Sequence, residues 1–248
     1  MPLVALTHLG ANLDGWDPRV VDGLAESRQV LAIGYRGVGD HTERVRDSIE
    51  AMADDAIAAI GALGHDRVDL FGLSMGGMVA QAVTARAPGL VDRLLLAGSG
   101  PAGGPGLTGM TRRMLTTTAR AAVTLHDPRE LLFFTRTPAG RRAAKQYLAR
   151  LEERTADREP RVRPSVLRAQ LAAVHRWGQA ARLDHAVHTG PTLIVHGDRD
   201  LLVPSTNATA LAGHLPTAQL VVYPDSGHGV VFQNHAAFVA AADGFLRR

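Results

Sequence analysis

The segment Gly72-Leu73-Ser74-Met75-Gly76-Gly77 sets a serine with a glycine two residues to either side. It follows the apolar run Val68-Asp69-Leu70-Phe71 and precedes a helix-like stretch from Met78 to Val83. This is G-x-S-x-G between a strand and a helix, the setting in which a serine is held on a tight, strained turn. Neighbours at minus two and plus two can then carry almost no side chain. The helix that follows aims its N-terminal amides, with their partial positive charge, at any oxyanion formed beside Ser74. Such a serine needs a base to take its proton. Among 11 histidines, His228 in Asp225-Ser226-Gly227-His228-Gly229 stands out because it follows the last predicted strand. In α/β sheets, active groups gather in loops at the carboxyl ends of strands. The base in turn needs an acid, and Thr192-Leu193-Ile194-Val195-His196-Gly197-Asp198-Arg199-Asp200 offers two. Asp200 is taken as the acid. Asp198 is left as a loop carboxylate that caps a turn or pairs with Arg199. The loop Gly98-Ser99-Gly100, after an earlier strand, holds no acid.

Stepping outward from these residues, six short aliphatic runs are candidate strands: Leu3–Thr7, Gln29–Gly34, Arg67–Gly72, Arg93–Ala97, Thr192–His196 and Gln219–Tyr223. Each is almost continuously apolar, which predicts burial on both faces of a parallel sheet. A helix is predicted over Ser48–Leu63. Ile49, Met52, Ala53, Ala56, Ile57, Ile60 and Leu63 recur there at three and four residues and form one apolar face. Ser48 is its N-cap and Gly64 its stop. Asp17-Pro18 opens another helix, with Asp as cap and Pro in the first turn. A helical pattern from Asn234 to Leu246 closes the chain. The alternation βαβαβα predicts right-handed crossovers and a parallel sheet.

The alternation stops between about Gly98 and Gly190. A Gly- and Pro-rich loop leads into an Arg-rich helical stretch without strands, and the strand pattern resumes at Pro191. The expected organisation is a core formed by residues 1–100 and 190–248, with residues 101–189 inserted as a helical cap. Residues 101–190 carry 16 arginine and lysine residues against 7 aspartate and glutamate, so a basic insert sits on an acidic core.

These stretches together resemble the α/β-hydrolase superfamily, in particular its compact capped esterase and haloperoxidase-like members. The likeness runs along nearly the whole chain. It rests on the elbow Gly72–Gly77, on His196-Gly197-Asp198-Arg199-Asp200-Leu201-Leu202-Val203-Pro204, on Ser226-Gly227-His228-Gly229, and on Arg36-Gly37-Val38-Gly39 after the second strand. The resemblance places Asp200 at the family's acid position, three residues after the glycine of the His-Gly pair. It implies an α/β-hydrolase fold, with a mostly parallel sheet flanked by helices, and an oxyanion hole made by the backbone N–H groups of Leu9 and Met75. Counting back from Trp16, Thr7 stands where the family usually has His and His8 where it has Gly. A satisfied core histidine or an imidazole near the hole are the two readings of His8. The usual first antiparallel strands are missing or much reduced.

The implied activity is hydrolysis of a carboxylic ester, lactone or thioester of a small or medium apolar acyl substrate, through an acyl-enzyme on Ser74. Acyl transfer or perhydrolysis by the same triad is the alternative, and a biosynthetic cyclase-like or ligand-binding member of the fold is another. Neither metal nor organic cofactor is required. His8, Met78 and Trp177 are candidate substrate-binding residues. Met110, Met114, Phe133, Phe134, Tyr147 and Trp177 supply apolar walls, most of them packing the cap onto the core. The run Arg141, Arg142, Lys145, Arg150, Arg154, Arg158, Arg161, Arg163 could draw an acidic carrier protein, although interleaved acids suit a solvated, ion-paired face.

Composition narrows the rest. Apolar residues make up 46% of 248 and charged residues 21%, as in a folded globular chain. No apolar run reaches the ~18–20 residues that span a bilayer. With no cysteine, thiolate chemistry and disulfides are excluded. The N-terminus has no basic region before an apolar one, so no leader is expected and the cytoplasm is favoured. Nucleic-acid motifs and membrane anchors are absent from the pattern, and the choice between monomer and homodimer stays open.

Overall fold

The structure is a computed structural model and describes residues 1–39, 43–181 and 188–247. Residues 182–187, the end of the expected insert, lie outside the described residues.

Six strands form one sheet: β1 (Leu3–Leu6), β2 (Val30–Ile33), β3 (Val68–Leu73), β4 (Val91–Ala97), β5 (Thr192–Gly197) and β6 (Ala218–Tyr223). Their order is β2-β1-β3-β4-β5-β6, and every neighbouring pair is parallel. The chain starts in the interior of the sheet, steps to one edge, and then crosses β1 to build the other side. The topological switch point therefore falls between β1 and β3, whose carboxyl ends diverge to leave a crevice. β1 ends at the Thr7-His8-Leu9 loop and β3 at Ser74.

Of the inner strands, β1, β3 and β5 are buried along their length, as their apolar runs predict, while β4 is partly exposed at Asp92 and Arg93. The two edge strands differ from that expectation. β2 and β6 are only partly buried, because each has a neighbour on one side alone. Among the described residues no antiparallel strand flanks β2.

Helix starts follow local chemistry. In α1 (Pro18–Ala25), Asp17 accepts the Arg19 N–H and Pro18 occupies the first turn. In α2 (Ile49–Ala62), Ser48 accepts the Ala51 N–H, and the chain leaves through Gly64 at φ +79°. α3 (Met75–Arg86) begins directly on Ser74. Between β4 and β5 come α4 (Met110–Val123), α5 (Pro128–Phe133), α6 (Pro138–Leu151) and α7 (Pro164–Gln179). Prolines at the start of the last three pre-set the first turn behind Asp127, Thr137 and Arg163. The chain ends with α8 (Thr206–His214), α9 (Val230–Gln233) and α10 (His235–Leu246).

The apolar interior divides into two clusters, one on each face of the sheet. The first joins α2, α3 and α8 to Leu107, Met110, Val166, Val174 and Trp177 of the insert. The second joins α1 and α10 to Phe133, Phe134, Tyr147 and Leu151 of the insert. The insert thus straddles the carboxyl edge of the sheet. α4 and α7 close one core, while α5 and α6 close the other.

Candidate active site

Ser74 sits at φ 56° and ψ −116°, a positive φ that side chains rarely adopt. The turn holds because its backbone is fully engaged. Ser74 N–H donates to Ala97 O at 2.8 Å, and Ser74 C=O accepts from Gly77 N–H and from the Ser99 hydroxyl, each at 2.9 Å. The flanking glycines allow close approach. A Cβ on Gly72 would collide with the Gly76 carbonyl, and one on Gly76 with the Leu6 carbonyl at the end of β1. The motif's small residues thus let the strand, the turn and β1 meet.

Ser74 Oγ lies 2.8 Å from His228 Nε2, and His228 Nδ1 lies 2.7 Å from Asp200 Oδ2. All three side chains are buried. Asp200 Oδ1 accepts the backbone N–H groups of Leu202 (2.8 Å) and Val203 (2.9 Å). His196 Nε2 is 2.9 Å from Val203 O and 3.4 Å from Asp200 Oδ2. Burial alone would push the Asp200 carboxyl up, but His228 and the bonds from both histidines outweigh it and hold its pKa well below the usual carboxylate range. Asp200 is therefore a carboxylate that accepts the His228 Nδ1–H, which leaves the Nε2 lone pair facing the serine hydroxyl.

Asp198 has another task. Its Oδ1 accepts the Ser226 N–H at 3.2 Å and so fixes the turn that carries His228. The same loop is held from the insert. Gly229 N–H donates to Phe133 O at 2.8 Å, and the Phe133 ring lies 5.9 Å from the His228 ring.

Of the two amides expected to form the oxyanion hole, that of Leu9 lies in the loop after β1 and that of Met75 opens α3 directly after Ser74. Within the turns and loops of the described residues, neither N–H donates to a backbone carbonyl. Tyr35 Oη donates to Thr7 O at 3.1 Å on one side of the Leu9 segment, and Gly10 N–H donates to Gln170 Oε1 at 2.8 Å on the other. His8 is buried. Its Nδ1 lies 2.9 Å from Leu9 O, and its ring packs edge-on against Phe133 at 5.0 Å. Burial lowers its pKa to about 4, against the pull of the Leu9 carbonyl and with the help of nearby His228. It is neutral at pH 7.

The other sequence candidates fall elsewhere. Met78 is buried in α3, within the first core cluster. Trp177 is buried in the same cluster, where its Nε1–H donates to Gly100 O at 3.1 Å. A cavity of about 690 Å³ lies beside the Leu9 loop; His8, Gly10, Asp127, Arg129, Tyr147 and Arg161 are among its walls, whereas Met78 and Trp177 are not. Part of the basic run is engaged in ion pairs. Arg150 pairs with Asp17 at 2.6 Å, Arg154 with Asp14 at 3.2 Å and Arg158 with Glu152 at 2.9 Å. Among the described residues no cluster of three or more His, Cys, Asp or Glu side chains is placed to hold a metal ion. No described helix is long and apolar enough to cross a membrane.

Sequence reasoning missed three participants. Ser99 stands in a loop whose sequence shows only the absence of an acid, yet its hydroxyl holds the Ser74 carbonyl. His196 was quoted as part of the His-Gly pair without a role. Gln170 lies 160 residues from its partner and carries no local signal at all.

Known proteins bear on this geometry. A family model described as alpha/beta hydrolase fold matches residues 2–235. A 2-hydroxymuconate semialdehyde hydrolase from Pseudomonas sp. (strain CF600) is 29% identical over 258 residues, covering 99% of this chain and 86% of the relative. A pimeloyl-[acyl-carrier protein] methyl ester esterase from Nitrosomonas europaea is 27% identical over 248 residues, covering 98% and 94%. Among solved structures, an alpha/beta hydrolase fold protein from Chitinophaga pinensis matches with a TM-score of 0.92 at 31% identity, covering 99% of this chain and 89% of that one. With the parallel sheet, the strained serine at its switch point and a family match along almost all of its length, the chain belongs to the alpha/beta hydrolase fold family.

Proposed function

We propose that the protein is a serine hydrolase that cleaves a carboxylic ester, lactone or thioester of a small or medium apolar acyl group. One observation carries this reading: the continuous chain of short contacts from Ser74 Oγ through His228 to the Asp200 carboxylate. In the mechanism it supports, His228 Nε2 takes the Ser74 proton as Oγ bonds to the acyl carbon. Asp200 stabilises the imidazolium so formed. The Leu9 and Met75 N–H groups receive the negative charge that develops on the acyl oxygen. Collapse expels the alcohol or thiol, which leaves with the proton from His228. Water then gives a proton to His228 and attacks the acyl-serine, and the acid is released with Ser74 restored. Residues 101–189 act in this reading as the cap under which the acyl group is bound.

The esterase among the relatives supports ester cleavage, and the semialdehyde hydrolase supports hydrolysis more broadly. The test is turnover of p-nitrophenyl butyrate by wild type and by Ser74→Ala. Loss of about 10³-fold or more in kcat is expected, since a residue acting as one unit of a triad takes most of the rate with it. A Ser74→Ala protein that turns over at the wild-type rate sinks the assignment.

A further inference from the structure

The Leu9–Gly10 peptide group is gripped by a side chain at each of its two polar atoms. The Leu9 carbonyl is 2.9 Å from His8 Nδ1. A carbonyl can only accept, so Nδ1 carries the hydrogen, and the neutral ring keeps its lone pair on Nε2. The Gly10 N–H of the same peptide donates to Gln170 Oε1 at 2.8 Å. Gln170 belongs to α7 and is fully buried. Its Nε2 and the Nε2 of His8 have no hydrogen-bond partner among the described residues. Each side chain therefore leaves a buried polar atom unsatisfied while keeping its one bond to this peptide.

The position of that peptide matters because the preceding one carries the Leu9 N–H. A peptide is planar, so holding the Leu9 carbonyl and the Gly10 N–H sets the orientation of the plane to which Leu9 Cα joins the peptide carrying its N–H. Gly10 itself stands at φ +75°, where the backbone has few intrinsic preferences to hold it in place. The loop's own backbone bond, Ala11 N–H to His8 O, is long at 3.4 Å. On the other side Tyr35 holds the Thr7 carbonyl. The Leu9 N–H is thus suspended between three side chains, of which one reaches in from the insert.

We infer that His8 and Gln170 are positioning residues that clamp the Leu9–Gly10 peptide and thereby aim the Leu9 N–H at the oxyanion, which gives a role to a histidine where a glycine is usual. The inference rests on the proposed hydrolase reading. It also makes α7, and hence the insert, part of the oxyanion hole's support.

The experiment compares Gln170→Met, which keeps the volume and loses the acceptor, with Gln170→Glu, which keeps an acceptor toward Gly10. Both are assayed with p-nitrophenyl butyrate and with phenylboronic acid as a tetrahedral-adduct inhibitor, and melting is recorded alongside. Misplacing one oxyanion donor without deleting it is expected to lower kcat for Gln170→Met about tenfold, with KM within about twofold, since full loss of a donor is worth on the order of 10²–10³. Boronate affinity should fall by a similar factor, and Gln170→Glu should recover most of both. His8→Phe, which keeps an aromatic ring against Phe133 without a donor, should fall in the same direction. A Gln170→Met enzyme with wild-type kcat and boronate affinity overturns the clamp, as does a loss that Gln170→Glu shares in full. If Ser74→Ala also turns over at the wild-type rate, the hydrolase reading itself has failed. If only the clamp variants are unchanged, that reading stands without the clamp.

Discussion

Two carboxylates two residues apart do different work because of what each faces. Asp200 points its Oδ2 at His228 and His196 and closes its Oδ1 on two backbone amides. Asp198 spans to the Ser226 N–H. Replacing Asp200 by asparagine keeps the shape but puts an amide where a carboxylate accepts the hydrogen bond from His228 Nδ1–H. The expected loss in kcat/KM is on the order of 10³–10⁴, measured at neutral pH on an activated ester. Asp198→Asn retains an oxygen for Ser226 and should stay within about threefold of wild type, the scale of a substitution outside the reacting atoms. The reverse outcome would exchange the two roles. In the sequence, the chain order and, through the family resemblance, the spacing from the His-Gly pair point to Asp200, and the structure sets its Oδ2 2.7 Å from His228 Nδ1. The contribution of His196 is not legible there, since whether a buried histidine leans on its own loop's carboxylate depends on a contact of a few ångströms.

At the scale of elements, the turns and caps that follow local rules were readable: Asp17 with Pro18, Ser48 ahead of α2, Gly64 after it, and the strand–turn–helix around Ser74. What escaped were contacts between segments far apart in sequence. Arg150 in α6 reads as one more member of a basic run, yet it is buried, clasps Asp17 at 2.6 Å and donates to Phe232 O at 3.2 Å. Asp17 is at once the cap of α1 and the anchor of α6. Arg150→Met would leave Asp17 buried without its partner. Breaking such a pair costs about 3–5 kcal/mol, so the thermal midpoint should drop by roughly 10 °C at this chain length. A variant melting within about 2 °C of wild type would mean that the pair merely offsets its own desolvation. The burial of β2 and β6 was overstated for a related reason: an apolar run does not disclose whether a strand has one neighbour or two.

Across the whole molecule, several ion pairs join basic residues between β4 and β5 to acids earlier in the chain. Arg150 reaches Asp17, Arg154 reaches Asp14, and Arg176 reaches Asp47 at 3.1 Å. The titration of the fold follows from two opposed groups. Asp47 is held below its ordinary pKa by its bond and attraction to Arg176, and Asp243 is held at about 2, chiefly by its bond from Ser27 and then by Arg247. Asp200 is held low beside its histidines. Stability from these groups is present above the unfolded carboxylate range and is lost as pH falls through their folded values. Asp69 runs the other way. Burial and the nearby Asp92 raise it to about 6, so the folded state binds its proton more tightly and stability falls as pH rises from about 4 to 6. Urea midpoints should therefore peak near pH 4 and fall away on its acid side as the lowered carboxylates take up protons. Asp69→Asn should flatten the descent between about pH 4 and 6 and leave the acid collapse in place. A descent unchanged in Asp69→Asn would assign it to another group.

The straddling of the sheet edge by α4 to α7 bears on how this protein could be re-engineered. Loops that hang from a scaffold can be exchanged between relatives like fittings, but here Val166, Val174 and Trp177 are bricks in one wall while Phe133, Tyr147 and Leu151 are bricks in the other. Transplanting a relative's segment over residues 101–189 would require recutting both walls at once, and Gln170 at Gly10 besides. This scaffold is therefore better altered one residue at a time than by wholesale grafting.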